Sequence, residues 1–239
     1  MTESSLTDLQ FVEIEVDTTF THDARGRIVR QNEPDGEPAP RFLFVRTRVG
    51  NNWRVRHDVP DDIARRLEEL AAAEPVTDDL TSLPVHSGAM HEALGVEFEP
   101  GNGGYDLGYR FPDELPEFDG ATRITRATIP LLHRMVGDVA DVERGFDQGE
   151  PCLVMVVDGA AVSLCYSCRL TDHGAMAGLE TLEGHRGRGY APAVVAAWAR
   201  AVRESGRIPL YSTQLSNTAS QAVARKLGLV QYAVGFGID

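Results

Sequence analysis

The chain has 239 residues, of which 42% are hydrophobic and 25% are charged. These proportions are ordinary for a folded protein and exclude general disorder, and the length allows one large domain or two smaller ones. The net charge of −13 argues against nonspecific binding to nucleic acid. Because there are only three cysteines, no long apolar run and no signal-peptide pattern, the sequence predicts a cytoplasmic protein without a membrane partner.

The charge is distributed unevenly along the chain. Residues 1–120 contain 11 basic and 25 acidic residues, a net charge of −14, whereas residues 121–239 contain 12 and 11, a net charge of +1. We therefore predict two domains, residues 1–118 and residues 119–239. The acidic half is consistent with a cationic substrate, but solubility is the simpler explanation.

The first domain is predicted to be a strand-rich α+β domain of unassigned role. In FVEIEV, residues 11–16, apolar residues alternate with two glutamates, which predicts a half-buried strand. The runs RFLFVRTRV and WRVRH are typical of two strands, and the Gly-Asn-Asn between them indicates a hairpin. We expect the arginines of this hairpin to form one solvated face: Arg46, Arg48, Arg54 and Arg56.

A helix and a long irregular segment complete the first domain. Asp61 and Asp62 follow Pro60 and precede the apolar period of IARRLEELAAAE, so a helix begins there with acids at its positive end. Residues 75–120 are rich in Pro, Gly and acids, and we expect connections with one or two short strands.

The second domain is predicted to be an α/β domain with a mixed sheet, because helices and strands alternate along it. The predicted elements are a helix in 127–146, two strands around Asp158-Gly159, a strand in AMAGLETL, a helix over 189–204, a strand in IPLYST, a helix over 217–227 and a strand near 230–236.

One loop of the second domain is typical of anion binding. The residues Arg186-Gly187-Arg188-Gly189-Tyr190-Ala191 connect a predicted strand directly to a helix. The small residues allow a ligand to approach the backbone, and the helix start offers unpaired N–H groups. The loop lacks the G-K-[ST] and G-x-G-x-x-G patterns of two common phosphate loops, but it fits [QR]-x-x-G-x-[GA] completely.

A second pattern follows the loop at a defined distance. Asn217 lies 31 residues after Arg186 at a predicted helix start, and Ser220 lies one turn further on. Gly228 follows the end of that helix, as in a common C-terminal cap. Capping alone accounts for Asn217 and Gly228, but it does not account for the order of loop, strand and capped helix.

Over about residues 121–239, this combination resembles the GNAT superfamily of coenzyme A-dependent N-acyltransferases. It is most similar to an actinobacterial-type group with RGRGYA, then LYST, then N-x-x-S-x-x-V-A-x-K-L-G-L. The resemblance implies that two parallel strands, AMAGLETL and IPLYST, splay apart around an acyl-CoA co-substrate, which is acetyl-CoA or another acyl-CoA. The implied binding residues are Leu179, Glu180 and Thr181 for the pantetheine arm, Arg186, Gly187, Arg188, Gly189, Tyr190, Ala191 and Pro192 for the pyrophosphate, and Asn217 and Ser220 for the thiol end.

The catalytic groups are less well determined by the resemblance. Many family members carry a general acid, a tyrosine, seven residues after the capping Asn, where this chain has Ala224. Tyr232, Tyr211, Ser220 or water are the alternatives, and Tyr232 is the candidate acid. Members of the group often carry a glutamate near the position of Met176, so the resemblance does not assign the base. Glu180 is the acid nearest the reactive end and is the candidate base, which requires a pKa raised by burial.

The resulting prediction is an N-acyltransferase that moves an acyl group to a primary amine of a small molecule. The alternative is a module or sensor that binds acyl-CoA without turnover. The histidines lack the spacing of metal ligands, so the sequence predicts no metal. The acceptor stays open, and so does homodimer formation.

Overall fold

The computed structural model describes residues 3–32, 38–98, 104–137, 140–147 and 149–239. These residues form two compact units. The first comprises Met1–Tyr109, Ser212–Asn217 and Gln231–Asp239, and the second comprises Arg110–Tyr211 and Thr218–Val230. The mixed α/β architecture and the strand-rich N-terminal part predicted from the sequence are both confirmed. None of the helices in the described ranges combines the length and the apolar character that a membrane crossing requires.

The first unit consists of a four-stranded arrangement, a small hairpin and three helices. Its strands have the order β4-β3-β11-β5, and β3 pairs antiparallel with both β4 and β11. The bounds are α1 Asp8–Thr19, β1 Phe20–His22, β2 Ile28–Gln31, β3 Phe42–Thr47, β4 Asn51–Val55, α2 Asp61–Ala73, α3 Ser87–Leu94, β5 Gly104–Arg110 and β11 Val230–Ile238.

The core of the first unit lies between the β3–β4 hairpin and α2. Phe42, Phe44 and Val55 of the hairpin pack with Leu67 and Leu70, which lie on one face of α2. The predicted hairpin and the predicted helix are therefore both confirmed. The alternating apolar residues of the strands and the helically spaced apolar residues of α2 each form a buried face.

The second unit is built on strands in the order β10-β9-β8-β7-β6, with α5 packed against β7, β8 and β9. Strand β10 is parallel to β9, and the other neighbours are antiparallel. The bounds are β6 Ala121–Arg123, α4 Ala140–Asp147, β7 Leu153–Val157, β8 Ala160–Leu170, β9 Gly174–Thr181, α5 Tyr190–Glu204, β10 Ile208–Gln214 and α6 Thr218–Lys226.

The predicted elements of this unit are confirmed from β7 onward. Asp158 and Gly159 adopt positive φ angles of 51° and 77°, as the tight turn between two strands requires. The helix predicted over 127–146 is wrong as one element, because a 3-10 turn, Ile129–Leu132, and the separate α4 occupy this range.

Two predictions for the first unit are wrong. Residues 11–16 belong to α1 and not to a strand, because Thr7 and Gln10 form a reciprocal capping box that starts a helix. The buried residues Phe11, Val12 and Val16 share one helix face, and a six-residue alternation could not distinguish the two structures. The segment 75–120 contains the helix α3, which had been expected to be a connection.

The prediction of one solvated arginine face is also wrong, because Arg54 pairs with Leu43 and therefore lies on the opposite face of the hairpin from Arg46, which is buried. The Arg46 side chain is 1% exposed, and Nη2 lies 2.8 Å from Glu74 Oε1, while the Glu74 side chain is fully buried. Glu74 further accepts hydrogen bonds from the N–H groups of Val85 and His86, at 2.6 and 3.0 Å. The ion pair therefore ties the hairpin to α2 and to the segment before α3.

Candidate functional site

The end of β9 presents a backbone edge that β10 does not cover. The two strands pair at only three positions, of which Met176–Leu210 is the last. On the opposite edge, the N–H of Leu182 donates to Val162 O at 2.9 Å, so β8 pairs with that side. Because backbone groups alternate along a strand, those of Ala177 and Leu179 point to the edge facing away from β8. This edge can hydrogen-bond to an extended, amide-containing ligand.

The loop between β9 and α5 leaves open space above two glycines. Gly187 and Gly189 have φ angles of 75° and 84°, which L side chains rarely adopt, and a Cβ at either position would have no atom within 4 Å. Gly189 is the residue that caps α5, and it supplies no side-chain hydrogen bond to the helix. The N–H groups of the first turn are therefore not capped by a side chain.

The electrostatics of this helix start favour an anion. The first turn of α5 contains no acidic residue, although helix starts usually carry one. Arg186 and Arg188 are exposed beside it, and Arg186 Nε donates to Thr181 O at 3.2 Å. That hydrogen bond holds the loop against the end of β9, so the loop lies next to the strand edge within the second unit.

Ser220 interacts with a buried tyrosine. Its Oγ lies 2.6 Å from the Tyr211 hydroxyl, which also donates to Ser220 O at 3.2 Å. Tyr211 follows Leu210, the last β10 residue paired with β9, so the pair lies where the two strands separate. Ala224, at the position where the resemblance led us to look for a tyrosine, is buried in α6. Ala224 has no hydroxyl group, and the tyrosine hydroxyl that lies next to Ser220 belongs to Tyr211.

The two candidate catalytic residues have different environments. Glu180 is exposed near the end of β9, so the burial expected of a base at this position is not observed, whereas Met176, earlier on the same strand, is buried. Tyr232 belongs to the first unit, where its hydroxyl donates to Glu15 Oε2 and its ring packs 5.3 Å from that of Phe11. Burial, and next the nearby Glu15 carboxylate, raise the pKa of Tyr232 well above its usual value.

The remaining predicted residue, Asn217, immediately precedes α6. It is exposed, and its N–H donates to Gln214 O at 2.9 Å. Asn217 is assigned to the first unit, and Leu179, Glu180, Thr181, the 186–192 loop and Ser220 are assigned to the second. Within the described residues, no group of three or more His, Cys, Asp and Glu side chains is arranged to hold a metal ion.

The segment that carries this geometry matches a known family. Residues 154–234 match the FR47-like protein family. The FR47-like segment begins in β7, ends in β11 and includes the loop, α5 and α6. This match supports the resemblance to the GNAT superfamily. None of the curated proteins matches the chain.

Several solved structures are similar to this chain. An acetyltransferase from the GNAT family of Colwellia psychrerythraea is 14% identical, with 79% of this chain and 76% of that chain covered, and a TM-score of 0.48. A GCN5-related N-acetyltransferase-like protein from Streptococcus suis is 19% identical, with 83% and 84% covered, and a TM-score of 0.45. A GNAT-family protein from Novosphingobium aromaticivorans is 16% identical, with a TM-score of 0.44. Its alignment covers 57% of this chain and 64% of that chain, which is less than two thirds of its length.

Two residues near Glu180 were not predicted to be part of a site. Tyr166 of β8 lies opposite Gly178 of β9, and both lie within the FR47-like segment. A glycine inside a strand often marks a close approach by another group, and this signal was present in the sequence. The partner of Gly178 depends on the strand register, which the sequence alone does not give.

Proposed function

We propose that this chain is an acyl-CoA-dependent N-acyltransferase of the GNAT type, which transfers an acetyl or related acyl group to a primary amine. The observation that carries this proposal is the surface formed by the uncovered edge of β9 and the open, arginine-flanked start of α5. Its two parts match the two parts of coenzyme A: an amide-containing arm and a pyrophosphate.

The loop supplies the diphosphate subsite. Gly187 and Gly189 leave room for phosphate oxygens to reach the backbone, and the first N–H groups of α5 can donate to them. Arg186 and Arg188 supply positive charge, and Tyr190, Ala191 and Pro192 form the first turn. Leu179, Glu180 and Thr181 supply the strand edge for the pantetheine arm. Asn217 is proposed to bind the thiol end of coenzyme A, and this assignment rests on the resemblance alone.

The reaction is direct attack of the amine nitrogen on the thioester carbonyl carbon. The nitrogen must be neutral, and the proton that it loses passes to Glu180, the exposed carboxylate on β9. The carbonyl oxygen becomes anionic, and the N–H groups on the uncovered edge of β9 are suitable donors. The carbon–sulfur bond then breaks, and the thiolate takes a proton.

The source of that last proton is proposed to be the Tyr211–Ser220 pair or water. The hydroxyls of this pair are already hydrogen-bonded to each other at 2.6 Å, so a proton given up by one can be replaced from the other. Tyr232, the acid expected from the sequence, stays a prediction, and its hydroxyl is engaged by Glu15.

A second candidate function is acyl-CoA binding without turnover. The buried Ala224 favours it, because this residue replaces the general acid that the resemblance would supply. Both functions require coenzyme A binding, so only turnover separates them. The experiment is a screen of primary amines with acetyl-CoA and a thiol reagent. Amine-dependent thiol release supports the transferase, and coenzyme A binding without any thiol release supports the binding module.

A further inference from the structure

One face of the β8–β9 pair carries a row of side chains, of which the reaction proposed above uses only Glu180. Trp198 Nε1 of α5 donates to Ser167 Oγ at 3.2 Å, so α5 covers the face on which Ser167 lies. Tyr166 is adjacent to Ser167 and therefore points to the opposite face. On that opposite face, apolar residues around Leu132 cover Val154 and Leu164, but Tyr166 stays 42% exposed.

Tyr166 covers the bare backbone of Gly178. The two residues are cross-strand partners, and a Cβ built on Gly178 would lie 2.7 Å from two carbons of the Tyr166 ring. No side chain could occupy that position without moving the ring. Gly178 therefore allows the aromatic ring to lie low on the sheet, leaving part of it accessible from solvent.

Opposite charges mark the two ends of the row. Glu180 lies two residues beyond Gly178 on β9, so its side chain is on the same face, and it is exposed. At the other end, Arg169 is the partner of Met176, and its Nη1 lies 4.0 Å from Met176 Sδ. The order along the face is thus a cation, an aromatic ring and a carboxylate.

We propose that this row, Tyr166 with Gly178 and Glu180, is the acceptor subsite and that it selects an aliphatic amine with a single ammonium group. The inference rests on the proposed function and names its acceptor class. The amine nitrogen lies between the Glu180 carboxylate and the exposed part of the Tyr166 ring, which contacts the ammonium group and the carbon atom bonded to it. A second ammonium group at the far end of the chain would approach Arg169, which disfavours diamines. Tyr166 is a specificity-determining residue, not a catalytic one.

The test is binding of pentylamine to the full chain, measured by NMR titration without acyl-CoA and then by steady-state kinetics with acetyl-CoA. Contact of an alkylammonium group with an exposed aromatic ring lowers the Kd by about threefold. Tyr166→Leu should therefore raise both the Kd and the KM for pentylamine at least about threefold with little change in kcat. Tyr166→Phe, the matched control, should change them less than about twofold. Cadaverine, the corresponding diamine, should bind more weakly than pentylamine.

A second variant tests the role of the glycine. Gly178→Ala should displace the ring and raise the pentylamine Kd as Tyr166→Leu does, and the double variant should be no weaker than either single variant. Any one of three results would overturn the subsite: pentylamine does not bind, its Kd is unchanged in folded Tyr166→Leu, or the protein binds cadaverine more tightly than pentylamine. Binding that depends on Tyr166 without any thiol release would instead overturn the transferase and leave the amine subsite standing.

Discussion

The hydroxyl of Tyr211 lies 2.6 Å from Ser220 Oγ, at the point where β10 ceases to pair with β9. Tyr211 comes from the strand and Ser220 from α6, so the contact joins the two elements that follow α5. The ring of Phe111 lies 6.3 Å from the Tyr211 ring in an edge-on arrangement, which fixes the tyrosine independently of its hydroxyl. The hydroxyl can therefore be removed without removing the packing.

Tyr211→Phe is expected to lower kcat by about tenfold or more, because general acid catalysis typically contributes 10²–10⁴-fold. Coenzyme A affinity should change less than about threefold, since the ring and its packing remain. Steady-state kinetics with calorimetric coenzyme A titration check both values. An unchanged kcat in the folded variant would mean that water protonates the thiolate.

Gly189→Asp is expected to reduce coenzyme A affinity at least about tenfold, which corresponds to about 1.4 kcal/mol. The substitution introduces a carboxylate at the uncapped start of α5, where we expect the phosphates to bind. Gly206→Asp is the matched control. Gly206 also has a positive φ, 81°, and open space for a Cβ, but it follows the other end of α5. Equal coenzyme A affinities in the two variants would refute the diphosphate subsite.

The sequence predicts the second unit better than the first for a physical reason. The loop Arg186–Ala191 and the helix after it are specified by local chemistry: glycines at positive φ, a helix without an acidic first turn, and a long apolar face. The position of Tyr166 over Gly178 depends on which residues β8 and β9 align, and a bulge near Cys168 shifts that register.

The wrong predictions for the first unit also concern features that a short stretch of sequence does not determine. The alternation in residues 11–16 is compatible with a strand and with the helix α1, and only the capping box of Thr7 and Gln10 distinguishes them. Arg46 was expected to be solvated because arginine is usually exposed. Its partner, Glu74, is 28 residues away, and nothing local indicates that the two side chains meet.

Glu180→Gln is expected to lower kcat/KM for the amine about a hundredfold, because the amide cannot accept the proton that the amine loses. The change preserves size, and the backbone edge of β9 is untouched, so coenzyme A affinity should stay within about threefold. Glu183→Gln removes an exposed acid from the turn that follows β9 and serves as the control. Equal losses in both variants would indicate a general charge effect and would contradict the assignment of Glu180 as the base.

Tyr232→Phe is expected to reduce turnover by less than about tenfold, since its hydroxyl is engaged by Glu15. The free energy of unfolding should fall by about 1 kcal/mol through loss of that hydrogen bond. Burial raises the pKa of Tyr232 in the folded state, so its contribution is complete below the unfolded pKa of about 10 and is lost as pH rises above it. Denaturant melts between neutral and alkaline pH should show a shallower alkaline loss in the variant. A fall in kcat of more than about a hundredfold with coenzyme A binding intact would identify Tyr232 as the acid.

Glu74→Gln is expected to lower the free energy of unfolding by about 3–5 kcal/mol, because it leaves the Arg46 guanidinium buried without its counterion. The amide oxygen of Gln can still accept the hydrogen bond from the Val85 N–H, but the amide nitrogen cannot accept the one from the His86 N–H, so the loss includes that hydrogen bond as well as the charge. Glu69→Gln is the matched control, since Glu69 forms an exposed pair with Arg66 at 3.8 Å and such pairs contribute little. Urea denaturation of both variants measures the difference. A loss below about 1 kcal/mol for Glu74→Gln would mean that water hydrates Arg46 or that another acid neutralises it, and the buried pair would then not hold the hairpin to α2.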